Sequence, residues 1–194
     1  MHPPEKAPDL DTTDGDIITQ VLAGDRDRFH ELVQRHAAPL WGTVRASLSN
    51  RDDAHEVFQE TWLRAFQRLD SLRDPRRLRA WLVTIALNLV RQHLRRRSIP
   101  AEPDAVLEEA LGVGERAEER AARVEELGLL RERLAALPPR QREVMDLRIH
   151  HELSHAEIAD VLGIREDASR ANYYQALRRL RESFAENEKP DEHA

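Results

Sequence analysis

The stretch from Arg79 to Arg97, RAWLVTIALNLVRQHLRRR, constrains the fold more than any other part of the chain. Its first half is apolar on nearly every side of a helix, and such a helix has to be surrounded by other elements. It falls short of the ~20 residues that a bilayer-spanning helix needs. Its second half ends in arginines, which need water or an anion. Asn88 sits inside the apolar part, either as a buried amide bonded to backbone or as a group that meets a ligand. The stretch predicts the packed helix of a bundle with one strongly basic end.

The rest of the chain supplies its neighbours. Sustained apolar alternation is absent, and helix signals are frequent. Asp14 can cap a short helix carrying Ile17, Ile18, Val21 and Leu22, with Gly24 at its end. A second helix carries Phe29, Leu32, Val33, Leu40, Val44 and Leu48, and Pro39 should kink or break it. Asp52 or Asp53 can cap a third, with Val57, Phe58, Trp62, Ala65, Phe66 and Leu69 inward. Pro75 suits the first turn of the fourth, which is the opening stretch. Residues 99–124 then break the pattern with prolines, glycines and glutamates, as a linker does. A second helical group follows, with Leu127, Leu130, Leu134 and Leu137 before Pro138, then Val144, Leu147 and Ile149. The predicted fold is all-α: two small helical domains, 14–98 and 125–183, joined by an acidic linker and closed by a polar tail, 184–194.

Composition enters where it excludes chemistry. The chain has no cysteine, which removes disulfides, thiolate catalysis and cysteine metal sites and fits a reducing compartment. The N-terminus lacks a basic-then-apolar leader pattern, so a cytoplasmic protein without membrane insertion is expected. The formal net charge of -6 hides a division. Between Thr61 and Arg97 the acids are only Asp70 and Asp74, against a run of arginines, whereas 101–126 is rich in glutamate. Arginine-rich composition has a bland origin in genome base content. Arginines gathered in one block point instead to phosphate, which a planar guanidinium binds well.

The stretch LSHAEIADVLGIREDASRANYYQALRRLRE is the most informative. Ser154 and Glu157 form a capping-box pattern at the start of a short helix. Gly163 stands where a tight turn needs a positive φ. A second helix then starts at about Asp167, with Tyr173, Ala176, Leu177 and Leu180 inward. Two short helices joined in this way make a helix-turn-helix. The second helix offers Arg170, Asn172, Tyr174, Gln175, Arg178 and Arg179 to base edges and phosphates. HELSH, His151 to His155, overlaps this motif and matches the H-E-x-x-H zinc signature. That chemistry needs both histidines on one continuous helix, whereas Ser154 and Glu157 start a new helix between them, and no third ligand is evident.

The two halves together resemble a known family. DDAHEVFQETWLRAFQRLDSL followed by RLRAWLVTIALNLVRQHLRRR is similar to the conserved domain of bacterial sigma factors, and LPPRQREVMDLRIHHELSHAEIADVLGI to their promoter-binding C-terminal domain. With these two domains alone, the chain resembles an extracytoplasmic-function (ECF) sigma factor of the sigma-70 family. The resemblance implies a non-enzymatic subunit with no cofactor or metal. It implies contact with core RNA polymerase, at the β′ coiled coil through Asp53, Glu56, Val57, Gln59, Glu60 and Trp62, and at the β flap. For Trp62 and Val57 core packing competes with that role.

The resemblance also implies promoter binding, to duplex at the minus-thirty-five element and to non-template single strand at the minus-ten element. Minus-ten contacts fall on Leu72, Arg73, Arg76, Arg77, Arg79, Asn88, Arg91, Arg95, Arg96 and Arg97. Leu72 stands where many relatives have an aromatic residue. Ser169 occupies a usually aliphatic inner position of the recognition helix, and Gln175 replaces a frequent arginine. The acidic linker would thread toward the RNA exit path or serve as a spacer. An anti-sigma partner is common in the family, and association with the nucleoid follows from polymerase binding. A conventional helix-turn-helix regulator is the other reading, and it leaves the Arg79–Arg97 cluster unexplained.

Overall fold

The computed structural model describes residues 12–97, 128–130 and 132–187, and the elements among them are helices and turns without strands. The first group comprises α1 (Asp14–Leu22), α2 (Phe29–Ser47), α3 (Arg51–Gln67) and α4 (Leu78–Arg97). The second comprises α5 (Pro139–Ile149), α6 (His155–Leu162) and α7 (Glu166–Asn187), preceded by helical residues at 128–130 and 132–135. The acidic linker, 99–124, and the outer tail from residue 188 lie outside the described residues.

Two local expectations, both about helix caps, are corrected. Thr13, not Asp14, caps α1, through a capping box with Asp16. Asp14 instead holds α2, its carboxylate accepting from Arg35 at 3.1 Å and lying 2.7 Å from His36 Nε2. Asn50, not Asp52 or Asp53, caps α3, accepting from the backbone N–H groups of both aspartates. A neutral amide oxygen two residues before Asp52 reaches two orphan donors, which leaves Asp53 to face His93. Pro39 lies inside α2 without ending it. The hydrogen bond it removes is outweighed because Leu32, Leu40 and Val44 pin both halves of the helix to the core.

Helix α4 is enclosed as its sequence requires. Leu78, Ala80, Leu82, Val83, Ala86, Leu87, Leu89 and Val90 are buried, and α2 and α3 pack against it. Its third neighbour is α6, from the second group. Most of the buried apolar residues of both groups form one cluster, which includes Val144, Leu147, Ile158 and Val161 as well as Leu82, Val83 and Val90, while Leu137, Met145 and Ala176 form a smaller one within the second group. No helix among the described residues is long and apolar enough to cross a membrane.

Candidate nucleic-acid and polymerase interfaces

The helix-turn-helix is built as its residues dictate. Ser154 Oγ accepts from Glu157 N at 3.2 Å, and Glu157 Oε2 accepts from Ser154 N at 2.8 Å. Gly163 is left-handed at φ 64 and ψ 39, and the Ile164 N–H closes the turn onto the Ala159 carbonyl at 3.0 Å. Helix α7 starts at Glu166, one residue before the predicted position. Its outer face carries Arg170, Tyr174, Gln175, Arg178 and Arg179, with Tyr174 66% exposed. Arg170 pairs with Glu166, and Arg178 lies 3.7 Å from Glu182. Exposed pairs of this kind are weak and yield readily to a phosphate. Two predicted contacts are partly engaged: the Asn172 amide donates to the Ala168 carbonyl at 2.8 Å, and Gln175 Oε1 accepts from Gln141 Nε2 at 3.0 Å.

The histidines of HELSH do not share a helix. His155 opens α6, whereas His151 is buried in the preceding loop. Between them Glu152 adopts φ 55 and pairs with Arg79. The Thr43 hydroxyl donates to Asp146 Oδ2 at 2.6 Å and lies 2.8 Å from His151 Nε2. With the hydroxyl hydrogen directed at Asp146, the neutral His151 ring donates to the Thr43 oxygen. Burial pushes the His151 pKa down to about 4. His150 is shifted the opposite way, its imidazolium favoured by the hydrogen bond to Asp146.

The basic surface of the first group begins in the loop before α4. Asp74 accepts from the Arg76 N–H at 3.1 Å and caps a single 3₁₀ turn, Pro75–Arg77, that leads into α4. Arg73, Arg76, Arg77, Arg79, Arg91, Arg95 and Arg96 are exposed, and Leu72 is half-buried against the core. The side chain of Arg97 lies outside the described residues. Asn88 is exposed and accepts from Arg91 Nη1 at 2.9 Å, which overturns the buried-amide alternative. The apolar helix thus tolerates a polar residue there because that flank of α4 faces solvent.

On α3 the structure divides the predicted polymerase contacts. Glu56 and Gln59 are exposed and Glu60 is half-exposed. Val57 is buried at the edge of a groove of about 580 Å³ between α3 and α4. Trp62 faces inward, as its place on the inner side of the third helix predicts, and Asp53 is also buried. Asp53 Oδ2 is 3.2 Å from His93 Nε2 on α4, and Trp62 packs edge-on to Phe29 and Phe58. Leu63, 51% exposed on the same groove, is a residue that sequence reasoning missed. Its position three and four residues after Glu60 and Gln59 was the available signal.

Comparison with known proteins decides the family. Sigma-70 region 2 matches residues 32–99 and sigma-70 region 4 matches residues 127–180. The ECF RNA polymerase sigma factor SigL of Mycobacterium tuberculosis is 30% identical over 175 residues, covering 87% of this chain and 96% of SigL. The chain belongs to the ECF sigma factors of the sigma-70 family. SigW of Bacillus subtilis is 28% identical over 156 residues, 76% of this sigma factor and 83% of SigW. Among solved structures, CnrH in complex with the cytosolic domain of CnrY has a TM-score of 0.61 at 28% identity, covering 91% of this chain and 99% of CnrH. RpoE of Bartonella quintana, crystallised with the anti-sigma factor NepR, shares the fold with a TM-score of 0.61 at 22% identity, covering 79% and 94%.

As a sigma factor, this chain acts in transcription initiation as a subunit of RNA polymerase rather than as a regulator working alone. The departure at Ser169 has a local cause. Ser169 is fully buried, and its hydroxyl lies 3.0 Å from His155 Nδ1, so a polar pair between α6 and α7 replaces an aliphatic contact.

Proposed function

We propose that this sigma factor directs core RNA polymerase by reading two promoter elements with its two helical groups. The outer face of α7 takes the minus-thirty-five duplex. The loop from Leu72 to Arg79 and the basic flank of α4 take the minus-ten element and its non-template strand. Extruding a base there costs a few kcal/mol, which contacts to the base and to phosphates have to offset. Glu56, Gln59 and Glu60, with the groove beside Leu63, meet the β′ coiled coil. The second group meets the β flap. Residues 14–98 and 125–183 act as the two domains, and 99–124 acts as the tether between them. The protein works in the cytoplasm, on the nucleoid when polymerase-bound, and an anti-sigma protein is its natural antagonist.

The observation that supports this reading is the pairing of two separate basic surfaces with a mixed acidic and apolar groove on α3. A regulator acting without polymerase has a use for α7 but none for the groove or for the arginines of α4. Transcription in vitro with purified core polymerase and a library of promoter sequences tests it. The expected result is polymerase-dependent initiation from templates that share two spaced elements. Tight sequence-specific duplex binding without any association with core polymerase would refute it.

A further inference from the structure

Asn172 and Gln175 on α7 are both bonded within the protein, and the bonds decide what each amide can still offer. Asn172 donates an N–H to the Ala168 carbonyl one turn back, so it keeps its own carbonyl oxygen to offer. Gln175, on the exposed face, is bonded in the opposite sense: its Oε1 accepts from Gln141 Nε2 at 3.0 Å. Gln141 lies 34 residues earlier, in the first turn of α5, and is only 5% exposed. Met145, one turn further along α5, and Ala176, next to Gln175, are buried in one small apolar cluster, which seats the two helices against each other at this point. Gln141 Oε1 is buried and has no hydrogen-bond partner among the described residues. That shortfall gives the amide its direction. Turned the other way, Gln141 would place an NH2 group, with two donors, where one carbonyl oxygen now goes unmet. Orphaned buried N–H groups are rarer than under-used carbonyl oxygens, so the observed direction is the better one.

We propose that Gln141 is a positioning residue that turns Gln175 Oε1 inward, so that Gln175 meets the minus-thirty-five duplex as a hydrogen-bond donor and selects a base with an acceptor edge, guanine above all. This role rests on the reading of α7 as the minus-thirty-five helix. A glutamine free to turn pairs bidentately with adenine, donating to N7 and accepting from N6. That pairing needs the carbonyl oxygen, which Gln141 occupies. The NH2 group left over suits guanine, whose N7 and O6 both accept, and is mismatched with the amino group of cytosine. Base choice at this position is thus set from behind, by a buried side chain that does not reach the DNA. Asn172 lies three residues before Gln175 on the same side of α7, but its own helix orients it, so Gln141 has no hold on it.

Full-length protein assembled with core RNA polymerase, offered duplexes randomised across the minus-thirty-five element, tests the role by sequencing what is bound. The wild-type chain should prefer guanine about tenfold at one position, and Gln175→Ala should abolish that preference there alone. Gln141→Met keeps the volume and removes the donor, so guanine should lose its lead over adenine at that position. Gln141→Glu offers only acceptors. Gln175 must then donate to it and present its oxygen outward, and preference should pass to adenine or cytosine, whose amino groups donate. Preferences at the other positions should not move. Damage to packing would lower affinity for every sequence and would not exchange one base for another. The role of Gln141 is overturned if the wild-type chain prefers adenine at the position that Gln175→Ala alters, or if both Gln141 variants keep the wild-type preference there; the promoter reading would then still stand. If Gln175→Ala and Arg178→Ala both leave the selected sequences untouched, the reading of α7 fails and the role of Gln141 fails with it.

Discussion

Mild acid should loosen this sigma factor, with His151 as the main contributor and His155, also lowered by burial, acting in the same direction. The His151 ring is buried between the two helical groups and bonded to Thr43, and its pKa is pushed from 6.5 down to about 4. Burial is the main cause. His150, Arg79 and His36 add to it, and the Asp146 carboxylate opposes it. The unfolded chain therefore binds a proton in the window between those two values while the folded chain does not. Stability from this group is fully present above pH 6.5, falls as pH drops, and stops falling below pH 4. Integrated from about pH 7.5 to about pH 5, the loss is about 2 kcal/mol. His150, with its raised pKa, acts in the opposite direction and masks part of the effect in the wild-type chain. His151→Gln isolates it, because the amide can still donate to Thr43 and does not titrate. Urea unfolding followed by far-UV circular dichroism at each pH gives both curves. The variant should be flatter than wild type by about 2 kcal/mol across that range. Parallel curves would mean that the acid sensitivity belongs elsewhere and that His151 is not the neutral, buried partner of Thr43.

Three further outcomes are expected. Gly163→Ala should cost about 1 kcal/mol in thermal unfolding, since a Cβ there meets nothing within 4 Å and only the left-handed backbone is penalised; Gly163→Asn should cost less. Ser169→Ala should cost about 1 kcal/mol by removing the partner of His155 Nδ1 in a fully buried site, read by denaturant unfolding. Arg91→Glu with Arg95→Glu should weaken promoter opening about tenfold or more, with polymerase affinity changed less than about twofold, and should lower the salt dependence of opening by about two phosphate contacts; equal loss of both would assign these arginines to assembly.

Much of the first group is legible because its residues obey periodicities that packing enforces. The all-round apolar character of Leu78 to Val90 requires an enclosed helix, and the structure encloses it. Gly163 and the Ser154–Glu157 box likewise read directly, because a left-handed turn and two orphan donors admit few solutions. The caps at Thr13 and Asn50 were less legible. Several neighbouring polar residues could cap each helix, and the choice depends on tertiary demand: Asp14 is taken by Arg35 and His36, and Asp53 faces His93. The same ambiguity hid the inward turn of Asp53. Helical spacing identifies a stripe of residues, but the line between its buried and exposed edges is drawn by the neighbouring helix.

The contact between the two helical groups was not legible at all, for a related reason. Asp160 and Glu152 look in the sequence like solvated acids flanking a helix, and Thr43 like an ordinary polar residue of α2. Their roles depend on partners far along the chain, and single-residue chemistry carries no information about pairing at that range. Arginine is different, because a cluster of like charges is itself a signal: it repels unless something anionic meets it. The cluster at the entrance to α4 therefore announces an anion without saying which one. In the folded chain part of that demand is met by carboxylates of the second group, Asp160 for Arg77 and Glu152 for Arg79.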